Sequence, residues 1–223
     1  MESRSGAGSS LARTQLLRPE LTRLLLDLCV GSILDLPCGD FNWMRATELP
    51  GIVYLGADIV TPLIARNNLL YASPGRGFLR LDMLSDALPK ADLILCRDGL
   101  VHLSFFDIAR ALTRMQEAGA TYLLATTFTA HDRNRDIVTG EWRPLNLDLP
   151  PFRFPAPIKT LADGPRPDGT HPDKALALYR FADLSDRALK LLQTAKKRTL
   201  LQALKHGFSR VRVAFGRRRS LFY

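Results

Sequence analysis

The sequence predicts an α/β fold in which helices cover both faces of a mostly parallel sheet, and three observations predict it. Apolar runs ending on a carboxylate recur early in the chain, at Ser32-Ile33-Leu34-Asp35, from Ile52 to Asp58 and from Gly77 to Asp82. Segments with helical apolar spacing separate them, and strand-helix alternation of this kind implies crossover connections between parallel strands. Further apolar runs at 91–96 and 121–127, followed by shorter ones at 158–161 and 174–179, complete a seven-stranded sheet.

Each element has a local reason. Residues 1–12 are rich in Gly and Ser and have the composition of a disordered leader. Leu16, Leu17, Leu21, Leu24, Leu25 and Leu28 then recur at helical spacing, with Pro19 tolerated near the start, so a covering helix precedes the first strand. After strand 32–35 the small-residue turn Pro37-Cys38-Gly39 leads into a helix expected over 41–47. Helices over 61–71 and 104–118 follow the second and fourth strands, whereas Ser85 to Lys90 is too short for a full helix. From Phe128 to Pro157 five prolines interleave with Trp142, Phe152 and Phe154, the composition of an ordered loop anchored by aromatic rings. The last two strands are joined by the turn-rich stretch from Asp163 to Thr170.

The length of 223 residues and 46% hydrophobic content suit one substantial core, here residues 13–189 with a loop insertion at 128–157. The net charge of +9 belongs to an appendage: ten of the 31 basic residues lie from Lys190 onward with no Asp or Glu among them. This basic extension, 190–223, interleaves Leu and Phe with its charges, which suits an anionic membrane surface or nucleic acid. Cys29, Cys38 and Cys96 form neither a disulfide framework nor a zinc-binding pattern, and no metal site is expected. No apolar run is long enough to span a bilayer and no signal-peptide core is visible, so the expected location is the cytoplasm, with attachment at a membrane surface open to the extension.

In open α/β sheets ligands bind outside the strand C-termini, and Asp35, Asp58 and Asp82 would line one such edge. This pattern resembles the class I S-adenosylmethionine-dependent methyltransferases over roughly residues 30–130, with a looser match to about residue 181. The resemblance implies a Rossmann-like fold ending in an antiparallel strand, S-adenosyl-L-methionine as cofactor and methyl transfer as the reaction. It also implies roles: Asp35 with Cys38 and Gly39 for the methionine end, Asp58 for both ribose hydroxyls and Asp82 for the adenine amino group, with Pro37, Ile59 and Met83 as further cofactor-binding residues. Where that family carries three alternating glycines this chain has Pro37, Gly39 and Phe41. A nicotinamide site would want G-x-G-x-x-G, and Asp35 and Asp40 would repel a diphosphate while tolerating a cationic sulfonium. The same acids would also serve if they only ended strands or capped helices.

The fourth strand delivers Arg97, Asp98 and His102 to the same edge. His102 is the candidate general base, since an unperturbed imidazole titrates near neutrality, with Asp98 as its catalytic companion; packing at the helix start beside an N-cap at Ser104 is the alternative. Arg97 is placed to hold the cofactor carboxylate or to pair with Asp98. On the acceptor side, His131 opens the long loop, Trp142 offers a flat wall and Arg143 a fork for an acidic group. These clusters suit O-methylation of a small molecule or saccharide. The alternatives are N-methylation of a protein or peptide, and a degenerate, non-enzymatic fold that binds RNA or anionic lipid through the basic extension.

Overall fold

The computed structural model describes residues 2–164 and 169–184, so the basic extension from Lys190 onward lies outside the described residues. Seven strands, β1 (Ser32–Asp35), β2 (Val53–Asp58), β3 (Arg76–Arg80), β4 (Leu93–Cys96), β5 (Tyr122–Phe128), β6 (Lys159–Ala162) and β7 (Lys174–Arg180), form one sheet in the order β3-β2-β1-β4-β5-β7-β6. β1 to β5 pair in parallel, and β7 runs antiparallel to both β5 and β6. Among the described residues no helix is long and apolar enough to cross a membrane.

The strand period of two divides the core between the faces. Ile33, Leu93, Leu95, Leu124 and Leu176 pack with Leu17, Leu21 and Leu25 of α1 (Leu17–Asp27) and Ile64 of α2 (Thr61–Tyr71). Their neighbours Leu34, Ile94, Leu123 and Ala177 pack against Ile108, Leu112 and Met115 of α3 (Phe105–Glu117). Ser104 caps α3 by accepting the Asp107 N–H at 3.1 Å.

The expected helix over 41–47 is instead a single 3₁₀ turn, Met44–Ala46. Gly39 and Phe41 have φ of 57° and 60°, which no right-handed helix accommodates. Phe41 is drawn out of the helical path into an aromatic cluster, with ring centroids 5.1 Å from Tyr54 and 5.0 Å from Phe78.

Residues 2–12, expected as a disordered leader, instead pack on the turn after β1, with Ser3 and Ser9 buried. Composition misleads here because the serines find polar partners in Asp40 and its surroundings. The second half of the loop at 128–157 is core: Leu145, Leu147, Phe152 and Phe154 are buried, with Phe152 edge-on to Phe105 at 5.3 Å and Phe154 edge-on to Tyr179 at 5.1 Å. A Phe152→Ala substitution should therefore cost about 3–5 kcal/mol in denaturant unfolding. A loss below about 0.5 kcal/mol, the range of surface substitutions, would mean that this segment is no part of the core.

Candidate active site

β1 lies between β2 and β4, so the chain reverses its direction of travel across the sheet at this point, where open α/β sheets form their ligand crevice at the strand C-termini. The turn after β1 stays stitched to both neighbours, with the Leu36 N–H donating to the Leu95 carbonyl and the Cys38 N–H to the Ala57 carbonyl, each at 2.8 Å. Asn67 of α2 donates to the Gly39 carbonyl at 2.8 Å, while its own Oδ1 is buried with no hydrogen-bond partner among the described residues. The proline that replaces the first glycine of the resembled turn has a counterpart: a Cβ on Gly99 would stand only 2.7 Å from Pro37 Cδ, so glycine there makes room for the ring. The one remaining glycine, Gly39, presents a bare face on which an added Cβ would collide with Ser5 Oγ.

Three acids meet at or beside this edge in different states. Asp58 ends β2 and is buried, its two oxygens accepting the Gly39 N–H at 3.2 Å and the Val60 N–H at 3.0 Å. Asp35 ends β1 and accepts from the Tyr54 hydroxyl at 2.6 Å. Burial pushes the Asp35 carboxyl up to about 7, against the lowering pull of that hydrogen bond and of the Arg97 charge. Asp82 lies beyond the end of β3, half-buried, and closes a turn by accepting from the Leu84 N–H at 2.8 Å and the Ser85 hydroxyl at 3.0 Å. Met83 beside it is half-buried against the core, whereas Ile59 is 54% exposed and offers an apolar face next to Asp58. Burial raises the Cys38 thiol well above its usual range, so it is a neutral packing group and no nucleophile.

At the end of β4 the structure differs from expectation. Arg97 is not available for a cofactor carboxylate: it is buried and chelates Asp163 through Nε–Oδ2 at 3.0 Å and Nη2–Oδ1 at 2.8 Å. Its Asp98 contact is longer, 3.7 Å, and its guanidinium lies over the Trp43 ring at 5.1 Å. Lys174 bridges Asp163 at 2.9 Å and Asp98 at 2.6 Å. Burial would raise the Asp98 carboxyl, but the Lys174 and Arg97 charges outweigh it and hold the group below the ordinary carboxylate range. Asp98 is thus an ion-paired carboxylate rather than a proton acceptor. Asp163 and Lys174 escaped sequence reasoning because pairs separated by 66 and 76 residues leave no local trace.

His102 is exposed, with Nδ1 3.0 Å from the Glu141 carbonyl oxygen. A carbonyl only accepts, so Nδ1 carries the hydrogen and Nε2 is the basic nitrogen of the neutral ring. Trp142, next in chain to Glu141, is half-buried and edge-on to Phe128 at 6.1 Å and to His171 at 5.3 Å. His171 was missed; its one signal is a place just before β7, three residues from Lys174. His131 is half-buried, and its backbone closes the start of the loop by donating to Phe128 and accepting from Asn146 Nδ2 at 2.8 Å. Arg143 is no fork for an acceptor: fully buried, it donates to the carbonyls of Leu103 at 2.7 Å, Leu100 at 3.1 Å and Arg135 at 3.3 Å, and burial pulls it down to about 10. It ties the loop to the turn that carries His102.

The raised Asp35 gives a pH dependence of definite sign. The folded state keeps the proton up to about 7 whereas an unfolded carboxyl releases it near 3.8, so this group's contribution to stability falls as pH rises between those values. The melting temperature of Asp35→Asn, which mimics the neutral acid, should gain on the wild type as pH rises from 5 toward about 7 and run parallel above it. A constant offset across that range would remove Asp35 from the titration.

No family model matches the chain, and neither does any curated protein sequence. Solved structures do. The chain is similar to the 1,6-didemethyltoxoflavin-N1-methyltransferase of Burkholderia thailandensis, with TM-score 0.57 and 16% identity over 74% of this chain and 77% of that one. It is similar to the N-methyltransferase NodS of Bradyrhizobium japonicum, with TM-score 0.54 and 16% identity over 76% and 96%. Human N-acetylserotonin methyltransferase matches with TM-score 0.51 and 17% identity over 75% of this chain, which spans 55% of the human chain. At such identities the likeness is one of architecture, and the strand order agrees with it: the chain has the Rossmann-like fold of the class I S-adenosylmethionine-dependent methyltransferases.

Proposed function

We propose that this chain is an S-adenosylmethionine-dependent methyltransferase that methylates an oxygen of a small molecule or saccharide. The observation that carries the reading is the Gly39–Asp58 pair at the crevice, where the Gly39 N–H donates to an oriented carboxylate at 3.2 Å within a turn stitched to both neighbouring strands. The residues fit the cofactor. Asp58 offers further lone pairs to two ribose hydroxyls, Ile59 an apolar face to a flat ring, and Asn67 Oδ1 a buried acceptor beside the turn. The Asp40 carboxylate suits a ligand with a cationic centre. The solved neighbours named for N-acetylserotonin and 1,6-didemethyltoxoflavin support a small acceptor.

When bound, the cofactor supplies a methyl group already activated on a sulfonium. The chain then has to align the acceptor and accept its proton. His102 Nε2 is the group for the proton, because the Nδ1 contact to Glu141 directs the ring's hydrogen away from it. Trp142 and His171 wall the acceptor side, and Lys174 fixes Asp98 at the base of the turn that carries His102. Asp82 and Met83 complete the adenine end in this reading. Methylation of nitrogen is the second reading, favoured by the two neighbours named as N-methyltransferases.

In calorimetry, Asp58→Ala should weaken S-adenosylhomocysteine binding by about 1.5–3 kcal/mol, the range for losing hydrogen bonds to a charged group. Equal affinity in the two proteins would remove Asp58 from the site. Incubation of an extract with labelled S-adenosylmethionine, followed by mass spectrometry, finds the acceptor. On that acceptor His102→Gln should lower kcat by about 10²–10⁴-fold if oxygen is methylated. An unchanged kcat would favour an acceptor that needs no base.

A further inference from the structure

Residues 2–10 lie across the crevice. Ser3 is buried and donates through Oγ to Asp40 Oδ1 at 3.1 Å, the Arg4 N–H donates to Asp40 Oδ2 at 2.6 Å, and Ser5 Oγ accepts the Asp40 N–H at 2.8 Å. Further along, Asn42 Nδ2 donates to the Ser9 carbonyl at 2.9 Å, and Arg97 Nη2 to the Gly8 carbonyl at 2.8 Å. The segment thus runs from the turn after β1 to the end of β4, spanning the mouth of the crevice.

We propose that this segment is a strap that competes with the cofactor, so that the described conformation is the latched form of the site; the inference rests on the methyltransferase reading. Ser5 Oγ fills the bare face of Gly39, the face on which a bound group would have to lie, and two groups cannot share it. Both Asp40 oxygens are engaged by Ser3 and Arg4, so this charge faces the strap while the latch is closed. Opening frees the glycine face and the carboxylate together. The strap is held by hydrogen bonds that water or a ligand can replace at little net cost, in contrast to the apolar packing of the loop at 145–154. Asp40 is the latch, and Arg97 anchors the far end without moving, because Asp163 holds it in place.

A latched strap lowers the observed affinity by the fraction of molecules that are open. Deleting residues 2–10 should tighten S-adenosylhomocysteine binding in calorimetry by about tenfold if about one molecule in ten is open. The double variant Ser3→Ala, Ser5→Ala keeps the chain length, covers the case in which the deletion fails to fold, and should move affinity in the same direction by a smaller factor. Hydrogen exchange reads the strap itself: the Arg4 amide should exchange slowly in the free protein and faster when S-adenosylhomocysteine is added. Equal or weaker binding by both variants, or slower Arg4 exchange with ligand present, would overturn the strap and leave the methyltransferase reading standing. If no form binds S-adenosylhomocysteine, both fall.

Discussion

A guanidinium with 4% of its side chain exposed has to be met by charge, and at the end of β4 that charge is Asp163, which has no exposed side-chain surface at all. Breaking such a pair from one side leaves an uncompensated buried ion and costs about 3–5 kcal/mol. The pair therefore acts as a fixed point. It holds the end of β4 to the connection between β6 and β7, and Lys174 extends it to Asp98. Asp98, with φ of 56°, is held by this network and by its N–H to Thr126 Oγ1 at 2.8 Å, and two residues later the chain enters the turn Leu100–His102 that carries His102. The β4 side of the crevice inherits its geometry from a buried ion cluster, while the β2 side inherits its own from backbone hydrogen bonds to Asp58.

The turn after β1 illustrates how a departure from the three-glycine turn it resembles is absorbed. Pro37 docks into the space that Gly99 leaves, and Phe41 turns into a cage of Tyr54, Tyr71 and Phe78. The aromatic cage takes over the anchoring that a longer helix would have supplied after β1, and Gly39 alone keeps the backbone open. Tyr54 joins the two functions of this region, since its ring belongs to the cage and its hydroxyl donates to Asp35.

What could be read from the sequence follows the range of the forces involved. Strands ending at Asp35, Asp58 and Cys96 were legible because apolar runs and their terminators are local signals, and the amphipathic spacing of α3 is equally local. The missing helix after β1 was not, because it depends on Phe41 meeting rings that are remote in the chain. The order in residues 2–12 was hidden for the same reason: Ser3 and Ser5 are solvating residues until Asp40 is placed opposite them. Arg97 and Asp98 are legible as charges at the sheet edge and Arg143 as a charge in the long loop, yet the partners Asp163, Lys174 and the carbonyls of Leu100 and Leu103 come from distant segments, and those partners decide what each charge can do. Burial of both arginines turned expected ligand contacts into structural ones.

In the proposed function the crevice at the ends of β1 and β2 receives a sulfonium nucleoside through Asp58 and the face of Gly39. A crystal structure of the chain grown with S-adenosylhomocysteine tests it most directly. Both ribose hydroxyls should lie within hydrogen-bond distance of the Asp58 carboxylate, with the amino-acid end against Gly39 and Ser5 displaced from that face. Ligand density elsewhere on the chain, or a nucleoside whose ribose lies away from Asp58, would contradict it.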